Sequence, residues 1–227
     1  LMTSRFRVSP LNIGLVLCFL AAPSALDTAL DLLYRCQSGS PSCGADRASA
    51  ESRRYSSSTL PYMKEGVRFL RARQLANARA EFLTVVKMEP DIPDAYNNIG
   101  LSYAYENNID KAIVYYKKAL AKDATYAAAL NNLGLILYSS GKAEDALYYW
   151  RLCLATSVEG QPELHYYLAN ALRDLGRRAE SRQHYLEAIR SEPGNSAAHS
   201  GLAALALSEG SLDEAFSEIN KAIKLKP

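Results

Sequence analysis

The side chains from which catalytic or metal chemistry could be built are few. There are three histidines, four cysteines and adjacent carboxylate pairs such as Glu144-Asp145 and Asp213-Glu214. A zinc site needs ligands at short fixed spacings, and a nucleophile needs a base beside it. His165, His184 and His199 fall into no such arrangement, and no His-Glu-x-x-His, glycine-rich phosphate loop or Gly-x-Ser-x-Gly occurs. Each carboxylate pair opens a segment of helical pattern, where acids are explained by the helix dipole. Cys36 and Cys43 bracket a loop of Gly, Ser and Pro with no histidine nearby. In an oxidising compartment that pattern predicts a Cys36–Cys43 disulfide rather than zinc. Cys153 falls where a small buried group is wanted, so it reads as inert core. These residues predict no active site, no metal site and no cofactor; the chain reads as a non-enzyme.

The elements that carry these residues recur with a period of about 34 from Thr59 onward. Gly66, Gly100, Gly134, Ala169 and Ala203 form a small column, and sixteen residues after each stand Phe82, Tyr116, Trp150, Tyr185 and Ile219. Ala78, Ala112, Ala146, Ser181 and Ala215 make a second small column, and Val85, Ala119, Cys153, Ala188 and Ala222 a third. Small residues recur where helices approach closely, and large apolar ones fill the space beside them. Gly141, Gly176 and Gly210, with Asn107 in the same column, mark a left-handed residue after the first helix of a pair; Arg73 suits that place less well. Pro93 and Pro162 suit the opening of first helices. The pattern predicts an all-helical solenoid of helix-turn-helix units spanning 59–92, 93–126, 127–161, 162–195 and 196–227.

On these columns the chain from Thr59 to Pro227 resembles the tetratricopeptide repeat family. The third unit is the best match, with Ala-Ala-Leu-Asn-Asn-Leu-Gly-Leu-Ile-Leu-Tyr followed by Gly141, Ala146 and Trp150. The departures are Glu65, Ala206 and Ser181. The resemblance implies a right-handed superhelix whose first helices line a concave groove for a peptide or protein ligand. Carried over by position, that groove comprises Asn97, Asn98, Leu101 and Tyr105, then Asn131, Asn132, Leu135 and Tyr138, then Tyr166, Asn170, Arg173 and Asp174. Amides suit an extended backbone and tyrosines cover apolar side chains with little entropy lost. The family's carboxylate clamp for chaperone tails is not matched by Met63, Val67, Asn97 and Leu101. Its asparagine ladder is met only by Asn98 and Asn132, with Lys64, Tyr167 and Gly201 at the other rungs.

The front of the chain differs in kind. Arg5 and Arg7 precede an apolar run, Ile13 to Ala22, and then Pro23-Ser24-Ala25. Residues 1–25 therefore read as a signal peptide or an N-terminal anchor, with membrane contact only through an uncleaved leader. Residues 26–58 read as a flexible connector holding the cysteine loop. Export to the periplasm or envelope is the expected location; an intracellular or organellar one is the alternative. The net charge of +2, with acids and bases interspersed, offers no basic stripe for nucleic acid. Phe216, Ile219, Ile223 and Leu225 leave the last helix either as its own cap or as a surface for self-association. The expected function is a protein-binding adaptor or assembly scaffold, the alternative being the regulatory arm of a larger enzyme such as a glycosyltransferase.

Overall fold

The computed structural model describes residues 55–156 and 161–225. The apolar leader and the Cys36–Cys43 loop, on which the expectations of export and a disulfide rest, lie outside them. Every regular element among the described residues is helical. The first unit pairs α1 (Leu60–Arg71) with α2 (Leu75–Met88), and the second pairs α3 (Pro93–Tyr105) with α4 (Ile109–Lys122). The third pairs α5 (Ala127–Ser139) with α6 (Ala143–Thr156), and the fourth α7 (Pro162–Asp174) with α8 (Arg178–Ser191). The fifth pairs α9 (Ser196–Ser208) with α10 (Leu212–Leu225).

The turns form as the column of left-handed residues predicts, with one addition. Gly141, Gly176 and Gly210 take φ of 78°, 75° and 78°, and Asn107 takes 57°. Arg73 also takes 57°, despite its side chain. The next amide in each turn donates back to the end of the first helix, Gln74 to Phe69 (2.9 Å) in unit one and Lys142 to Leu137 (2.9 Å) in unit three. These bonds occupy carbonyls that a helix end leaves unpaired. The Arg73 guanidinium, 4.0 Å from the Tyr105 ring centre, gains a cation–π contact that offsets part of the backbone strain.

Packing within a unit is ring against glycine. Phe82, Trp150 and Tyr185 are fully buried and Tyr116 nearly so. A Cβ added at Gly66 would lie 2.6 Å from Phe82 Cε1, at Gly100 2.8 Å from Tyr116, and at Gly134 2.3 Å from Trp150 Nε1. Those glycines are therefore required for space. Between units the same logic applies at Gly201, where a Cβ would lie 2.3 Å from the Tyr185 ring of the preceding unit. Gly201 breaks the asparagine ladder because that ring occupies the rung.

Each second helix packs on its own first helix and on the first helix of the next unit. First helices also meet one another across units, α1 with α3, α3 with α5, α5 with α7 and α7 with α9, whereas second helices make no contact of comparable extent. The first helices therefore form the inner layer and line the concave face. No helix among the described residues is long and apolar enough to cross a membrane.

Candidate functional site: the concave face

The twelve positions carried over to the groove divide into two groups. Asn97, Asn98, Leu101, Asn132 and Leu135 are buried, Asn97 and Leu101 completely. Helix α3 lies among α1, α2, α4 and α5, which leaves Asn97, Asn98 and Leu101 little free surface, and α5 is enclosed in the same way by α3, α4, α6 and α7. The Asn132 amide donates to Asn97 Oδ1 at 2.8 Å, joining α5 to α3 inside the solenoid. Asn97 Nδ2 and Asn131 Oδ1 are buried without a protein partner. Tyr105, Asn131, Tyr138, Tyr166, Asn170 and Arg173 are half-buried, and Asp174 is exposed. These seven, unlike the other five, leave part of their surface open.

A connected polar cluster joins units three and four. The Tyr138 hydroxyl donates to Asp174 Oδ2. Arg173 donates to Asp174 Oδ1 through Nε (3.2 Å) and Nη2 (3.0 Å), and through Nη1 to the Tyr185 hydroxyl at 3.2 Å. That hydroxyl in turn donates to Asn170 Oδ1. Burial is the main reason why the Tyr138 phenol titrates far above the usual tyrosine range, with its bond to Asp174 adding to the effect. Burial raises Tyr185 likewise. Desolvation opposes the Arg173 charge, but Tyr185 and Asp174 outweigh it and raise the guanidinium further. At neutral pH the cluster therefore presents a guanidinium paired to the Asp174 carboxylate, the Asn170 amide and the Tyr138 hydroxyl, with the buried Tyr185 hydroxyl bracing Arg173 and Asn170 from beneath.

Tyr185 belongs to the cluster although its repeat column marks it as core. Its ring fills the space beside Ala169, Leu202 and Leu205, while its hydroxyl, buried with it, bonds Arg173 and Asn170 of the first helix. A tyrosine in place of the first unit's Phe82 is the sequence signal, since a buried hydroxyl needs a partner. A second contact escapes column reading altogether. His165 Nδ1 and His184 Nδ1 stand 2.9 Å apart. One unit later the equivalent positions hold His199 Nδ1 against Glu218 Oε2 at 2.6 Å. No group of three or more potential ligands converges into a metal site among the described residues. Cys153, 1% exposed, has its thiol 3.6 Å from the Ala127 carbonyl.

Models of the tetratricopeptide repeat match residues 93–126, 127–159 and 166–227. These are tetratricopeptide repeats. Among curated relatives, the human protein O-mannosyl-transferase TMTC1 is 30% identical over 130 residues, which span 57% of this chain and 14% of that protein. The type IV pilus assembly protein PilF of Pseudomonas aeruginosa is 29% identical over 102 residues, spanning 45% of this chain and 40% of PilF. The chain thus matches less than half the length of either relative. Solved tetratricopeptide solenoids superpose over more of it. MamA from Desulfovibrio magneticus RS-1 aligns with a TM-score of 0.68 and 16% identity, covering 75% of this chain and 96% of that one. YrrB, described as having an unusual peptide-binding site, aligns with a TM-score of 0.63 and 18% identity, covering 82% and 93%. At such identities the likeness is one of fold.

Proposed function

We propose that this tetratricopeptide solenoid is a non-enzymatic adaptor or assembly scaffold, holding an extended or helical segment of a partner protein in its concave face. The observation that carries the reading is the Tyr138–Asp174–Arg173–Tyr185–Asn170 cluster on that face, with half-buried Tyr166 packed beside Tyr185. Preformed hydrogen-bonding groups beside rigid aromatic rings favour peptide capture at low entropic cost. The peptide-binding site named for YrrB is in keeping with this use of the fold. A place in the cell envelope is part of the proposal, supported by the signal-like leader and the similarity to a pilus assembly protein. The second reading, a recruiting arm of a larger enzyme, draws on the 30% identity to the repeat-bearing mannosyl-transferase.

The test is affinity capture from the native host beside a Tyr105→Glu, Tyr138→Glu, Arg173→Glu variant whose helicity is checked by circular dichroism. A partner held by the parent and lost by the folded variant supports the groove. A partner held equally by both places the binding surface elsewhere and contradicts the proposal.

A further inference from the structure

The two columns that meet as His165 and His184 in unit four hold Tyr62 and Glu81, Tyr96 and Tyr115, and Leu130 and Tyr149 in the units before it. Unit four alone places two imidazoles there. Their ring centres lie 5.2 Å apart with the planes tilted by 37°, and Nδ1 faces Nδ1 at 2.9 Å. Among the described residues neither ring makes another hydrogen bond. Both are half-buried and so keep an open side. His199, one unit on, differs on each count. It is 6% exposed, with Nδ1 against Glu218 and Nε2 against the Pro193 carbonyl, so both its nitrogens are engaged.

Two neutral imidazoles that meet through Nδ1 share one proton, which the second nitrogen accepts with its lone pair. Burial lowers both rings below the usual imidazole range, so at neutral pH neither is charged and both can act as ligands. Metal–nitrogen bonds of about 2.0–2.1 Å that meet at a right angle set their nitrogens about 2.9 Å apart, whereas a tetrahedral angle needs about 3.4 Å. Right-angle coordination by nitrogen and oxygen suits Cu2+ and Ni2+. Glu180 and Glu187 stand one turn either side of His184 on α8. Both carboxylates favour positive charge at His184, and Glu187 does so at His165, against the opposing charge of Arg151. We infer that His165 and His184 form a two-histidine site for a divalent transition-metal ion, Ni2+ or Cu2+ in preference to Zn2+. The ion replaces the shared proton, which leaves to solvent. Each ring turns about its Cβ–Cγ bond to aim Nδ1 at the ion, and water completes the coordination on the open side.

The experiment titrates the untagged full chain with Ni2+ alone, following heat by calorimetry and the histidine ring signals by NMR. Ni2+ should shift the ring signals of His165 and His184 and leave those of His199 in place. Zn2+ should do so only at higher concentration, and Mg2+ not at all. Losing an outer partner of a metal ligand costs about 10- to 100-fold in affinity. His165→Gln and His184→Gln, each checked for helicity, should therefore each weaken Ni2+ by at least about tenfold. Ring signals that do not respond to Ni2+, a stronger response to Zn2+, or Ni2+ affinity undiminished in either variant would each overturn the inference. The last result would assign the ion to other groups of the chain, the cysteines first among them.

Discussion

Units four and five bring the same two columns into contact and fill them with different chemistry. In unit four, His165 meets His184; in unit five, His199 meets Glu218, each pair nineteen residues apart. The fifth pair is buried and fully engaged. Glu218 also accepts from Lys221 at 2.7 Å, and His199 Nε2 lies 3.3 Å from the Pro193 carbonyl. The fourth pair is half-buried, two imidazoles sharing one contact. A further difference lies one residue on, where the Tyr185 ring is sealed by the next unit and Ile219 is only half-buried. The repeat decides which positions meet. Residue type, and how far the neighbouring helices bury the pair, decides the energy of the meeting.

The largest effect should come from the sealed ring. Tyr185→Ala removes an aromatic that fills the gap between α7 and α9, and should cost about 3–5 kcal/mol. Ile219→Ala, at a half-buried position, should cost only about 1–2 kcal/mol. Urea unfolding followed by circular dichroism compares the two, and equal losses would break the contrast between a fully buried and a half-buried position of the same column.

A smaller effect should separate the paired columns by pH. Burial is the main cause that lowers both His165 and His184 below the usual imidazole range; the opposing pull of Glu187, and for His184 also of Glu180, is weaker. Arg151 and the His165 charge lower His184 further. Between pH 6.5 and those lowered values the unfolded chain binds more protons than the folded one. The contribution of unit four is therefore present above pH 6.5 and lost as pH falls through the lowered values. Glu218 is held below the usual carboxylate range because bonds from Lys221 and His199 together outweigh its desolvation, the largest single influence on it. Its contribution persists through that window and is lost only below pH 4.5, as pH falls through its own lowered value. Stability measured from pH 7.5 to 3.5 should show both steps. His184→Gln should shrink the upper step to the share of His165 and leave the lower one, and an unchanged upper step would contradict the assignment.

Most of the fold is legible in the sequence because it repeats. A column such as Gly66, Gly100 and Gly134 fixes helix spacing through steric contact with Phe82, Tyr116 and Trp150, and needs no long-range information. The left-handed Arg73 shows the repeat overriding a residue's own preference. The site was less legible. Asn97 and Leu101 occupy groove positions by register, yet α5 and the other neighbours of α3 enclose them, and an asparagine gives no sequence sign of being buried. Tyr185 hid its hydroxyl in a core column, and Gly201 looked like a lost rung until the ring beside it was seen. The His165–His184 contact, nineteen residues apart like His199 and Glu218, was not legible, because nothing in the columns says that these two positions meet.

Hydrogen exchange of the protein, alone and with its captured partner, tests the central claim most directly. Binding in the concave face predicts slowed exchange in the first helices of units three and four, Ala127–Ser139 and Pro162–Asp174, with Ala143–Thr156 and Arg178–Ser191 little changed. Protection confined to those second helices, or to α10, would contradict it.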